Sequence, residues 1–126
     1  MARKQPHESY DCGRPYSCPV EATLDVIGGK WKGIILYHLV ETRRFGELQR
    51  LIPGINRRML TLALRELEGD GLVHREVYRE VPPKVEYSLT EFGETLSPLI
   101  LQMSDWGRGY VRRLEASAAT TVHQAQ

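Results

Sequence analysis

The segment from Phe45 to Leu72, FGELQRLIPGINRRMLTLALRELEGDGL, constrains the fold most, because it predicts two helices joined by a tight turn. The inward face of the first helix consists of Leu48, Leu51 and Ile52. Pro53 and Gly54 end this helix, since proline cannot continue it and glycine accepts the left-handed backbone of a sharp turn. Asn56 is a candidate N-cap, because its side-chain oxygen can accept a hydrogen bond from the first free amides of the second helix.

The second helix, from Arg57, is predicted to be amphipathic. Its apolar face consists of Leu60, Ala63, Leu64 and Leu67, and its opposite face of Arg58, Thr61, Leu62 and Arg65. The glycines at 69 and 71 then end the helix. A short helix, a glycine-containing turn and a second helix with an outward polar face predict a helix-turn-helix, whose second helix enters the major groove of DNA.

The local charge supports this interpretation although the net charge of the chain is only +1. Residues 43–65 contain six arginines and a single acidic residue, Glu47. Phosphate binding depends on the charge of the docking face, so the local balance matters more than the total. Solvated arginines on amphipathic helices are the alternative, and six of them in this motif favour DNA.

The candidate DNA-binding residues lie on both helices and on the segment that follows them. They are Arg44, Gln49, Arg50, Asn56, Arg57, Arg58, Thr61, Leu62, Arg65, Arg79 and Lys84. Arg58 and Arg65 are the main candidates for base contacts, because a guanidinium can donate to both O6 and N7 of guanine. Two alternatives stay open. Leu62 either contacts a thymine methyl or is an ordinary surface leucine, and Arg65 could instead pair with Glu66 or Glu68.

Two β-prone runs follow, around Val73–Tyr78 and Val85–Leu89, and they predict a hairpin. Pro82 and Pro83 lie between them and force a turn. A hairpin directly after the recognition helix is the wing of a winged helix. Its basic residues Arg75, Arg79 and Lys84 are balanced by Glu76, Glu80 and Glu86, so the wing contributes little net charge.

The last helix is predicted over about residues 91–114, capped by Thr90 and kinked at Pro98. Its apolar seam includes Leu96, Leu99, Met103, Trp106 and Tyr110 at alternating steps of three and four. A small winged domain cannot bury so long a helix alone, so we expect these five residues to form a homodimer interface. The alternative is intramolecular packing along the whole length.

The chain as a whole is predicted to be one domain, mainly α with a small antiparallel β wing (α+β), and a homodimer through its terminal helices. Residues 1–17 are predicted to be a mobile N-terminal arm, residues 18–115 the winged helix-turn-helix domain, and residues 116–126 a disordered tail. Two further helices are expected, after Cys18 and over about residues 30–40. The residues indicate no secretory signal or membrane span, which predicts a cytoplasmic protein.

Two cysteines are too few for a disulfide scaffold, which makes the thiols candidates for reactivity. Cys18 precedes Pro19 at a helix start, where the positive end of the helix dipole favours the thiolate. Cys12 is the weaker candidate. An inert, half-buried cysteine is the alternative for Cys18. No metal site, cofactor or catalytic arrangement can be assembled from these residues, so an enzyme is not expected.

Several motifs in order make the sequence resemble the HxlR-type family of bacterial winged helix-turn-helix regulators, which are MarR-like. They are CPVEATLDVIGGKW, RFGELQRLIPGINRRMLT, LRELEGDGLV and VPPKVEYSLTEFG, followed by the seam of the last helix. The resemblance implies a dimeric DNA-binding regulator, and many relatives sense electrophiles or oxidants through the cysteine that matches Cys18. Some relatives form an intersubunit disulfide with a later cysteine. This chain has none after Cys18, which leaves only Cys12 for that role.

We therefore predict a transcriptional regulator, a repressor, that binds a pseudo-palindromic operator in double-stranded DNA as a homodimer. Release would follow modification of Cys18 by a small electrophile or oxidant. Two alternatives remain. One is a DNA-binding regulator gated by a non-covalent, aromatic ligand in an apolar pocket between the last helix and the wing. The other is a winged-helix module that binds protein and not DNA.

Overall fold

A computed structural model describes residues 18–124 of the chain, and the side chains of residues 18–120. The arm at 1–17, and with it Cys12, lies outside the described residues. In chain order the elements are α1 (Pro19–Ile27), α2 (Lys32–His38), α3 (Phe45–Leu51), α4 (Arg57–Gly69), β1 (Val73–Tyr78), β2 (Lys84–Leu89), α5 (Glu91–Glu94) and α6 (Ser97–Gln124). The predicted fold class, mainly α with an antiparallel β wing, is confirmed.

The helix-turn-helix is formed by α3 and α4 as the sequence predicts. Gly54 in the turn has φ +88°, the left-handed conformation that glycine adopts without strain. The Asn56 side-chain oxygen accepts a hydrogen bond from the Met59 amide at 2.8 Å and caps α4. The buried face of α4 is Leu60, Ala63, Leu64 and Leu67. Each fully buried leucine contributes about 1.5–3 kcal/mol, so this face fixes which side of α4 points outward.

The core lies between α2, α3, α4 and the base of the wing. Ile35 on α2, Leu48 on α3 and Leu60 and Leu67 on α4 have no exposed surface. Ile100 brings α6 onto the same core, whereas α1 contributes Ile27. α2 is shorter than the predicted helix over residues 30–40, and α1 begins directly after Cys18, as predicted.

The wing is an antiparallel pair in which Val73 faces Leu89 and Tyr78 faces Lys84. Arg43 lies in the segment that connects α2 to α3. It forms a single bridge to β2, in which the amides of Arg43 and Tyr87 donate to each other's carbonyl oxygens at 2.9 and 2.8 Å. The segment before α3 therefore runs along the outer edge of the wing.

The wing is also joined closely to the end of α4. The Thr90 hydroxyl donates to the Gly71 carbonyl at 2.6 Å and accepts from the Gly93 amide at 2.9 Å. The Thr90 amide donates to the Leu72 carbonyl at 3.0 Å. A Cβ on Gly93 would lie 2.1 Å from the Leu72 carbonyl oxygen, so only glycine allows this approach. These contacts hold α4, both strands and α5 together.

The single helix predicted over about residues 91–114 is wrong, because the structure has two helices, α5 and α6. Thr95 and Leu96 separate them. Pro98 is the second residue of α6 and causes no kink within the helix, since the missing proline N–H would have no partner in the first turn. α6 also continues to Gln124, whereas the sequence predicts disorder from residue 116. The alanines at 116, 118 and 119 are strong helix formers, which explains the extension.

The described helices include no candidate membrane span. None of those within residues 18–124 combines the length and the apolar character that a bilayer span requires.

Candidate nucleic-acid interface

The outward face of α4 carries the basic residues that the sequence predicts. Arg58 and Arg65 are exposed on the side opposite the buried leucines, and Arg57 is exposed at the N-terminus of α4. Thr61 lies between them, half-buried, and its hydroxyl donates to the Arg57 carbonyl at 2.8 Å. The expected competition for Arg65 is reduced, because Glu66 pairs with Lys32 at 2.8 Å. The arginine side chains therefore face solvent.

A cleft of about 450 Å³ separates α4 from the wing and extends the basic surface. Arg57, Arg65 and Arg75 all line it, together with Glu68. From sequence, Arg75 is one of the basic residues of the wing, and its position beside α4 is not predicted. The missed signal is strand alternation, because residue 75 lies on the same face of β1 as buried Val73 and so faces α4. Three guanidinium groups in one cleft give this side of the molecule its positive charge.

Phe45 supports the basic face, a role that the sequence pattern does not predict. The guanidinium carbon of Arg57 lies 5.1 Å from the centroid of the Phe45 ring. An arginine over an aromatic face is held by the ring quadrupole and loses rotamer freedom before any ligand binds. Phe45 begins α3 and is partly buried against the core, so it positions Arg57 on a fixed support.

Leu62 lies at the border of the basic face. Its side chain is 57% exposed and lines a second cleft, between α4 and the α1–α2 segment, with Leu24, Trp31 and Met59. The structure thus supplies apolar neighbours for Leu62 on the α1 side. Contact with a thymine methyl stays a prediction.

The candidate residues on α3 differ in exposure. Arg44 and Arg50 are exposed, and Gln49 is half-buried. The Glu47 carboxylate accepts from the Arg44 amide at 3.0 Å, which anchors the start of α3. Arg44 and Arg50 are therefore available to phosphates next to α4.

The two wing candidates also differ. Arg79 is exposed in the turn between the strands. Lys84 lies 4.9 Å from the centroid of the Tyr78 ring and 3.6 Å from the Glu86 carboxylate, so its charge is partly balanced within the wing. A hydrogen bond to Glu86, with its negative charge, raises the pKa of Tyr78 above its usual value. Of these two cations, Arg79 is therefore the one whose charge is less balanced by contacts within the wing.

Cys18 is the N-cap of α1 and its side chain is exposed, which argues against the half-buried alternative. Its carbonyl accepts from the Glu21 amide at 3.0 Å, and Pro19 occupies the first position of the helix. The thiol is therefore accessible at the positive end of α1. Cys12 cannot be located relative to it, because residue 12 lies outside the described residues.

Four of the five predicted interface residues are exposed on one face of α6. They are Leu99, Met103, Trp106 and Tyr110. Trp106 is 72% exposed, and its ring stacks on Tyr110 with centroids 5.5 Å apart. Leu96 differs from the prediction, since it packs partly buried against the core of its own chain. Its place between α5 and α6 explains why it leaves the seam.

An apolar cleft of about 320 Å³ lies between α6 and the α1–α2 turn. Its apolar wall includes Ile27, Ile34, Tyr37 and Met103, and Lys30 also lines it. The ligand-gated alternative instead places an apolar pocket between the last helix and the wing. Among the residues that the structure describes, no three His, Cys, Asp or Glu side chains are close enough to hold a metal ion.

A helix-turn-helix with an arginine-rich second helix, followed by a two-stranded wing, defines the winged helix-turn-helix class of DNA-binding proteins. Residues 26–115 match the family model described as HxlR-like helix-turn-helix. The chain belongs to this family, and it is an HxlR-type helix-turn-helix transcriptional regulator.

Relatives and solved structures agree with this assignment. The chain is 67% identical over 99 residues to the uncharacterized HTH-type transcriptional regulator YdeP of Bacillus subtilis, covering 78% of this chain and 77% of YdeP. It is 65% identical to the redox regulator HypR in its reduced form, with a TM-score of 0.73 over 78% of this chain and 98% of that one. The oxidized form of HypR gives 68% identity and a TM-score of 0.71, over 73% and 96% of the two chains.

Proposed function

We propose that this regulator is a repressor that binds a pseudo-palindromic operator as a homodimer, with α4 of each copy in the major groove. The observation that carries the proposal is the exposure of Arg58 and Arg65 opposite the buried face of α4, with exposed Arg57 at the N-terminus of the helix. Two recognition helices read half-sites about one helical turn apart, or about 34–36 Å. A regulator of this family acts on the chromosome, so we expect it in the cytoplasm.

The residues divide between phosphate and base contacts. Arg58 and Arg65 lie on the outermost face of α4 and are assigned to base edges. Arg57 and Asn56 lie at its N-terminus, where backbone amides also favour phosphate. The neighbouring basic and polar residues are assigned to the DNA backbone, and they are Arg44, Gln49, Arg50, Thr61, Arg79 and Lys84. Arg75 joins them through the cleft between α4 and the wing.

Binding to the DNA upstream of the protein's own gene at several salt concentrations tests this proposal. Phosphate contacts make log K fall steeply with log salt, at about 0.9 per neutralised phosphate, whereas a module that binds only protein shows no such dependence. Arg58→Ala should weaken specific binding by about 1–3 kcal/mol and relax base preference. Arg112→Ala, at an exposed arginine of α6, is the matched control. Equal effects of the two substitutions would refute the assignment of α4 to the groove.

We further propose that Cys18 senses oxidants or electrophiles. Its exposed thiol at the start of α1 and the similarity to the redox regulator HypR support this role. With a peroxide, the thiolate attacks one oxygen, the O–O bond breaks, and a sulfenic acid forms while the other oxygen leaves as water after protonation. An electrophile such as a quinone would instead alkylate the same thiolate, with a new S–C bond formed and a proton taken up by the quinone oxygen.

Cys18→Ser and Cys12→Ser separate the contributions of the two thiols. We expect hydrogen peroxide to release the operator from the wild-type protein and from Cys12→Ser, but not from Cys18→Ser. If release persists in Cys18→Ser, that thiol is not the sensor. If Cys12→Ser only slows the disappearance of the Cys18 sulfenic acid, Cys12 is the resolving thiol.

The apolar cleft between α6 and the α1–α2 turn favours a second candidate, regulation by a non-covalent ligand. Its volume of about 320 Å³ and its aliphatic wall suit a small aromatic compound. A response that survives in Cys18→Ser but is lost on filling the cleft with Gly33→Leu would select this candidate.

A further inference from the structure

Lys32 contacts three segments of the molecule at once. It begins α2, its Nζ lies 2.8 Å from a carboxylate oxygen of Glu66 on α4, and it donates to the Asp25 carbonyl of α1 at 3.4 Å. The Lys32 side chain is 17% exposed and that of Glu66 is 47% exposed. A partly buried ion pair is screened by salt less than one on the open surface. Lys32 therefore ties the last turn of α1 to the third turn of α4.

The buried surface of α1 is concentrated at its C-terminal end. Ile27 is the buried residue of α1, whereas Val20 and Leu24 are more than half exposed. A cleft of about 420 Å³ lies between α4 and the α1–α2 segment, and both Lys32 and Glu66 line it. The buried face of α4 fixes which side points outward, and the ion pair adds a constraint across the cleft on the angle between α4 and α1.

We infer that Lys32 is a positioning residue for operator binding, which sets the orientation of α4 through Glu66 without touching DNA. The inference rests on the proposed function, in that α4 is taken to be the recognition helix. A tilted α4 would misalign the Arg58 and Arg65 hydrogen bonds to base edges, and such bonds weaken steeply with angle. Operator affinity thus depends on a charge pair at the far side of the helix-turn-helix.

Reversing the two charges distinguishes positioning from simple attraction to DNA. Glu66→Lys adds a positive charge to α4, so plain electrostatics predicts tighter binding. Positioning predicts binding about three- to tenfold weaker, because two ammonium groups would repel across the cleft. Lys32→Glu should weaken binding as well, and the double variant K32E/E66K should restore wild-type affinity to within about twofold. Tighter binding by Glu66→Lys, with no rescue in the double variant, would overturn the inference.

Lys32→Met keeps most of the aliphatic stem and removes the charge, so it controls for lost packing. Its salt dependence should equal that of the wild type, since no phosphate contact is lost. A slope smaller by about 0.9 would show instead that Lys32 contacts a phosphate and would overturn positioning. Affinities are measured well below the unfolding midpoint of every variant, so that partial unfolding does not contribute.

Hydrogen exchange in the free protein tests the tie without DNA. Lys32→Met should speed amide exchange in the last turn of α1 and the third turn of α4, and Lys32→Arg should keep it slow. Unchanged exchange in Lys32→Met would refute the tie. Failure of the wild-type protein to bind its upstream DNA would refute the proposed function separately, and the exchange result would still stand.

Discussion

Asn56 makes it possible to separate the folding of α4 from its contact with DNA. Its side-chain oxygen accepts from the Met59 amide at 2.8 Å, and an aspartate oxygen can accept the same bond. Asn56→Asp therefore keeps the cap and adds a negative charge at the positive end of the helix dipole, worth about 0.3–1 kcal/mol of stabilisation. Asn56→Ala removes the cap and should cost about 1 kcal/mol.

The same added charge should oppose DNA binding. A carboxylate about 4 Å from a phosphate is repelled by about 1 kcal/mol in bulk water and about 4 kcal/mol at an effective dielectric constant of 20. Asn56→Asp should thus lose at least about fivefold in operator affinity while its stability is kept or raised. Asn56→Ala should show the reverse order, with lower stability and a smaller loss of affinity per folded molecule.

Urea unfolding followed by fluorescence and operator binding by anisotropy, at one low salt concentration, measure the two quantities. The loss in Asn56→Asp should shrink as salt rises, because the repulsion is screened. If Asn56→Asp binds the operator as tightly as the wild type at low salt, the N-terminus of α4 does not face a phosphate. The docking described above would then be wrong.

Trp106→Glu should yield a folded monomer in sedimentation experiments, because Trp106 is largely exposed in the single chain and its loss removes no core contact. Leu101 lies on the other side of α6, so the control Leu101→Glu should remain a dimer. The same oligomeric state for both variants would contradict the predicted dimer interface. Gly93→Ala should lower the free energy of unfolding by about 1–3 kcal/mol, because the added Cβ would overlap the Leu72 carbonyl. Gly69 has open space around it, so Gly69→Ala should raise the free energy of unfolding by about 0.5–1 kcal/mol. Equal effects of the two substitutions would contradict the close approach at Gly93. Burial, and secondarily the charge of Arg43, lower the pKa of His38. The contribution of the neutral His38 to stability is therefore complete above pH 6.5 and is lost as the pH falls through the lowered pKa. His38→Gln should remove this loss from the plot of urea midpoint against pH, and an unchanged plot would contradict the pKa shift.

The recognition helix could be predicted from sequence because its determinants are local. The apolar period of α4, the cap at Asn56 and the glycine turn before it all lie within a few residues of one another. The wing was predictable for the same reason, since two β-prone runs flank a pair of prolines. Local patterns of this kind also identify the outward face of α4, and with it most of the candidate contacts.

Features that depend on distant contacts could not be predicted. The alternating seam of the last helix continues through Thr95 and Leu96, so periodicity alone hides the break between α5 and α6. The position of Arg75 in the cleft depends on how the wing folds back onto α4. The pair of Lys32 and Glu66 joins two helices that nothing in the sequence brings together.

The junction at Thr90 has a mechanical consequence for control. Because Thr90 is hydrogen-bonded to Gly71 and Leu72 at one end of the wing, the recognition unit formed by α4 and the hairpin has little freedom to change its own shape. In the proposed homodimer, an inducer would then change the distance between the two recognition units and leave the shape of each unit unchanged. Half-site spacing, and not base preference, is the property of the operator to which such a regulator would be most sensitive when it switches.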